Sequence, residues 1–71
     1  MALSKAEQRK LLGMVRDMLY ARRNGKVGAE QKVYDRIYYW CEFRQLETGD
    51  AIRQATKQLQ QSVAAVMNSI V

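Results

Sequence analysis

Cys41 is the only thiol in this chain of 71 residues, and no histidine accompanies it. A nucleophile–base pair therefore lacks its second member, and a transition-metal site has one soft ligand where it needs three or four. The carboxylates do not gather either, since Asp35 and Glu42 fall two turns apart on one predicted helix. "NGKVG" at 24–28 lacks the G-x-x-x-x-G-K-[ST] spacing of a phosphate-binding loop, and Lys26 is followed by Val27, so it reads as a turn. No catalytic, cofactor or metal residue is assigned, and the chain is not expected to be an enzyme.

The residue types that remain are suited to binding. "VYDRIYYWCEFRQ", residues 33–45, holds the single Trp, the single Phe and three of the four Tyr. Projected at about 100° per residue, Val33, Ile37 and Trp40 form the centre of an apolar face flanked by Ala29 and Cys41, and these are the expected core. Tyr34 and Tyr38 lie along one margin; Lys32, Arg36, Tyr39 and Phe43 lie along the other at spacings of four, three and four. Aromatic clusters at helical spacing usually are core, so the fold is expected to cover Trp40, Tyr34 and Phe43. The residues furthest from the Val33–Ile37 axis, Tyr38, Tyr39 and Phe43 with Lys32 and Arg36 beside them, form the candidate surface for a protein partner, because Tyr supplies a large rigid contact with a polar tip.

A second candidate surface is electrostatic. Residues 1–26 carry seven Lys and Arg against Glu7 and Asp17, a balance of +5, whereas residues 27–71 carry five cations and five carboxylates. Lys5, Arg9, Arg16, Tyr20 and Arg23 form a stripe on the first helix that can neutralise successive phosphates, with Tyr20 placed to stack on an exposed base. A solvated helix face has the same composition. On the third helix Arg53 and Lys57, with Gln54, Gln60 and Gln61, are residue types that read base edges, and a turn at Gly49 precedes them. A helix-turn-helix pair is disfavoured by the length of the helix before that turn and by Gln45, where tight crossing calls for a small residue.

These surfaces need elements to hold them. The chain has no Pro and only four Gly, a composition in which long helices run uninterrupted. Ser4 followed by Glu7 is a capping-box signature, so the first helix is predicted over about 4–23, ending at Asn24–Gly25. The second is predicted over about 29–46. The third is predicted over about 50–70, with Thr48 or Asp50 as N-cap. Leu11, Val15, Met18 and Leu19 give the first helix its apolar face, with Met14 and Leu12 at the margins. Ile52, Thr56, Leu59, Val63, Val66 and Ile70 give the third a heptad-spaced seam. Gly13, inside the first helix, marks either a close helix contact or a deformable point.

Short turns make sequential helices antiparallel neighbours. The expected fold is one all-α domain over residues 1–71, either a compact three-helix bundle or a helical hairpin whose third helix is completed by dimerisation. Apolar residues make up 48% of so short a chain, which also favours a homodimer. No secretory signal or span of roughly 20 apolar residues is present, and one unpaired cysteine suits a reducing compartment, so a cytoplasmic protein off the membrane is expected. The functional expectation is a small regulator or inhibitor, of the kind carried by phages and mobile elements, that docks on a macromolecular protein partner. Nucleic-acid binding is the alternative.

Overall fold

Ser4 opens the first helix with the reciprocal bonds its spacing predicts. In the computed structural model, which describes residues 3–70 of the chain and the side chains of residues 3–61, the Glu7 amide donates to Ser4 Oγ at 3.1 Å. The Ser4 amide donates in turn to Glu7 Oε1 at 3.0 Å. Helix α1 runs Lys5–Arg23, α2 Val27–Phe43 and α3 Thr48–Ile70, and no strand occurs among the described residues. The three helices pack into one all-α unit.

Two left-handed residues set the helix ends. Gly25, at φ 69°, follows α1 and lets the Lys26 amide reach back to the Ala21 carbonyl at 2.9 Å. Gln45 does the same for α2 at φ 56°, with the Leu46 amide on the Cys41 carbonyl at 2.9 Å. Both are Schellman closures, and the second falls on a residue with a Cβ, for which this conformation is costly. That closure is why α2 stops at Phe43 and not at Leu46. At its other end α2 starts at Val27, two residues before the expected Ala29, because Gly28 is accommodated inside the first turn.

Helix α3 is capped by neither Thr48 nor Asp50. Glu47, one residue earlier, accepts hydrogen bonds from the Gly49 amide at 3.2 Å and the Asp50 amide at 2.6 Å. Its longer side chain reaches two of the amides that a helix start leaves unpartnered, and its charge suits the positive end of the helix dipole.

The hairpin of α1 and α2 is antiparallel, pinned near its turn by Arg22 Nε to Glu30 Oε2 at 3.1 Å and at its open end by Arg44 Nε to Glu7 Oε2 at 2.9 Å. Its core consists of Leu11, Met14, Val15, Met18 and Ala21 from α1 against Ile37 and Cys41 from α2, joined by Ala51 and Ala55 from α3. Met14 is thus central where a margin was expected, and Leu19 and Leu12 are the margin. On α2 the buried axis is Ile37–Cys41. Val33 and Trp40 pack beside it half-buried, and Ala29, in the first turn of α2, is exposed.

On α3 the line of closest approach is Ala51–Ala55, not the Ile52–Thr56–Leu59 line, whose members are half-buried. Alanine permits the helix backbone to approach its neighbours where a branched side chain would hold it off. Val63, Val66 and Ile70, the rest of the expected seam, lie outside the residues whose side chains are described.

Gly13 makes no close helix contact: a methyl group there would meet nothing within 4 Å. Gly13→Ala is therefore expected to stabilise the chain by about 0.5–1 kcal/mol through reduced unfolded-state entropy, read as a higher thermal midpoint. A lower midpoint would show that the position needs its flexibility.

Candidate functional site

Helix α2 presents two aromatic margins separated by a carboxylate ridge. On one side Tyr34 and Tyr38 retain 40% and 42% of their exposure, and on the other Tyr39 and Phe43 retain 71% and 88%. The expectation that the fold covers Tyr34 and Phe43 is therefore corrected. Phe43 is the last residue of α2 and points to the side away from Ile37, where neither α1 nor α3 passes. Trp40 follows the expectation in part, being half-buried against the core.

The two margins differ in how firmly their side chains are held. The Tyr38 hydroxyl donates to Glu42 Oε1 at 3.3 Å, and the carboxylate's charge holds the phenol's pKa above its ordinary value. Its ring meets Tyr39 edge-on, with centroids 5.6 Å apart. Tyr38 and Phe43 project about 140° apart around the helix axis, so one flat partner surface cannot cover both. Lys32 and Arg36 share the Tyr39–Phe43 side. Both are exposed, and neither enters an ion pair among the described residues.

The basic stripe of α1 is likewise open to solvent. Lys5, Arg9, Arg16, Tyr20 and Arg23 are all exposed, with Tyr20 at 68%. Within the stripe only Arg16 lies near a carboxylate, Asp17, at 3.8 Å. Arg53 and Lys57 are exposed on α3, but Arg53 Nη1 is engaged by Asp50 at 3.2 Å, and the helix before the turn is 17 residues long. The structure thus gathers the α1 residues into one face and the Lys32, Arg36, Tyr39 and Phe43 group into another, and it sets Tyr38 apart.

One cluster escaped sequence reasoning. The Arg44 guanidinium lies 4.0 Å from the centroid of the Trp40 ring, donates through Nε to Glu7, and donates through Nη1 to the Trp40 carbonyl at 3.3 Å. The i to i+4 spacing of Trp40 and Arg44 is a readable cation–π signal. Its partner Glu7 lies 37 residues away in sequence and carries no such signal. Glu7 is held below the ordinary carboxylate value of 4.5 by the Ser4 amide and by Arg44, and Glu47 is held below it by the Asp50 and Gly49 amides.

A carboxylate whose folded-state pKa is lowered stabilises the fold above its unfolded value, and that contribution is lost as pH falls through the folded one. Thermal midpoints followed by circular dichroism from about pH 7 down to about pH 3 should therefore decline below 4.5, and Glu7→Gln with Glu47→Gln should flatten the decline. An unchanged slope in that double variant would rule out these two caps as its source.

A groove of about 440 Å³ between the start of α1 and the first turns of α3 is lined by apolar residues, glutamines and two carboxylates, Glu47 and Asp50, with no cation or nucleophile. Cys41 is fully buried, and desolvation pushes its thiol pKa up, which disfavours the reactive thiolate. No group of three potential metal ligands forms among the described residues, and no helix there is long and apolar enough to cross a membrane. No protein-family model matches the chain, and no curated protein or solved structure is detectably similar to it.

Proposed function

We propose that this chain is a small non-enzymatic interaction protein that docks on a macromolecular protein partner through the Lys32–Arg36–Tyr39–Phe43 side of α2, as a regulator or inhibitor would. The observation that carries it is the exposure of two large rings, Tyr39 at 71% and Phe43 at 88%, on a helix whose other side is fixed in the core. Rigid aromatic side chains beside Arg are the residue types that dominate binding energy at protein interfaces. A chain that kept these rings only for stability would bury them.

The α1 stripe supports a second reading, nucleic-acid binding. Lys5, Arg9 and Arg23 face solvent with no carboxylate partner among the described residues, as phosphate contacts require.

One experiment separates the two. Tagged wild type, Tyr39→Ala with Phe43→Ala, and Arg9→Glu with Arg16→Glu and Arg23→Glu are used to capture partners from host extract treated with nuclease. Docking through α2 expects a protein captured by wild type and by the α1 variant but lost from the α2 variant. Capture lost only from the α1 variant, together with salt-sensitive retardation of DNA or RNA by wild type, would transfer the function to the basic face.

A further inference from the structure

Lys32 and Arg36 stand one turn apart on α2, both exposed, and like charges at that spacing repel. No carboxylate of the chain relieves them. Asp35, three residues on from Lys32, accepts instead from Gln31 Nε2 at 2.9 Å, and Arg36 has only Lys32, Val33, Tyr39 and Trp40 three and four residues away. The other side-chain carboxylates are engaged as well. Glu7, Asp17, Glu30 and Asp50 lie against arginines, Glu42 accepts from the Tyr38 hydroxyl, and Glu47 accepts from two backbone amides. A carboxylate partner for Lys32 and Arg36 therefore has to come from another molecule.

The two rings occupy the other end of the same strip. Arg36 and Phe43 are seven residues apart, roughly 10 Å along the helix axis. Phe43, 88% exposed, has no polar tip, so it gains only by entering an apolar recess. A nucleic-acid strand carries charge along its whole length, whereas this strip carries charge at one end and rings at the other.

We propose that the protein docking on this side of α2 is acidic where it meets the helix. It presents two carboxylates roughly 6 Å apart to Lys32 and Arg36 and, roughly 10 Å further on, an apolar recess that receives Phe43 with Tyr39 at its rim. This rests on α2 being the docking side and names the chemistry of what docks there. Charge complementarity carries it: the strip holds two unpaired cations and no carboxylate, and the net charge of +5 speeds encounter with an anionic surface.

The probe is a displayed library of random peptides of about 16 residues, long enough as helices to span the strip, selected on the purified chain. Selected peptides are expected to carry two Asp or Glu about one turn apart with an apolar residue beyond them. Lys32→Gln with Arg36→Gln should weaken their binding at least about tenfold, and so should Tyr39→Ala with Phe43→Ala. Lys32→Arg with Arg36→Lys keeps both charges and should keep the binding. Arg9→Glu with Arg16→Glu and Arg23→Glu should cost less than about threefold at about 0.15 M salt, because those charges act only at a distance.

Peptides that need Tyr39 and Phe43 but bind the double Gln variant as tightly as wild type overturn the acidic partner and leave α2 as the docking side. Peptides that need only the α1 arginines, or a selection that yields none dependent on Lys32 and Arg36, overturn it too, and the capture experiment then decides separately whether α2 docks at all. A short single-stranded oligonucleotide held through Lys32 and Arg36, or a wild-type dimer that the double Gln variant loses, would give the strip a different occupant and likewise overturn the proposal.

Discussion

Ile37→Ala is expected to destabilise the chain by about 2–5 kcal/mol. Ile37 is fully buried and belongs to the one core cluster to which α1 contributes Val15 and Met18 and α3 contributes Ala51 and Ala55. Neither α2 nor α3 supplies another large, fully buried aliphatic side chain among the described residues to fill the space left behind. A domain of this size has a total stability of roughly 4–10 kcal/mol, so this single change removes a large share of it. Urea titration followed by circular dichroism measures the loss directly. A loss under about 1 kcal/mol would mean that the three helices do not meet at this residue.

The second large effect concerns binding and comes from the same helix. Tyr39→Ala with Phe43→Ala should leave the urea midpoint within about 0.5 kcal/mol of wild type, because neither ring is packed in the core. The same double variant should weaken docking by on the order of 100- to 1000-fold, since buried aromatic anchors each contribute about 2 kcal/mol or more to an interface. Surface plasmon resonance against the captured partner reads that change. A loss of docking smaller than about tenfold would mean that the two rings are not anchors. The pair of variants separates two roles that the composition of residues 33–45 leaves merged.

What the sequence disclosed was mainly local. Ser4 and Glu7 announce the start of α1 because both halves of the capping box lie within one turn. Leu11, Val15 and Met18 announce its buried face because α1 is covered by both other helices. Elsewhere the deciding terms were not local. Ala51 and Ala55 became the contact line of α3 because close approach favours small side chains, which a hydropathy projection ranks below Ile52 and Leu59. Gln45 took a left-handed conformation that its residue type does not advertise. The bareness of Phe43 depends on where α3 departs after the 44–47 turn, and that direction is fixed by the Leu46 amide on the Cys41 carbonyl and by the Glu47 cap together.

The placement of Trp40 has an optical consequence. As the chain's single indole, stacked on a guanidinium that is itself tied to Glu7, it reports the joining of the start of α1 to the end of α2. Its emission is therefore an intrinsic probe of hairpin closure. Arg36 and Phe43 stand four and three residues from Trp40 on the same helix, the spacing of surface neighbours, so docking on that side should register in the same emission.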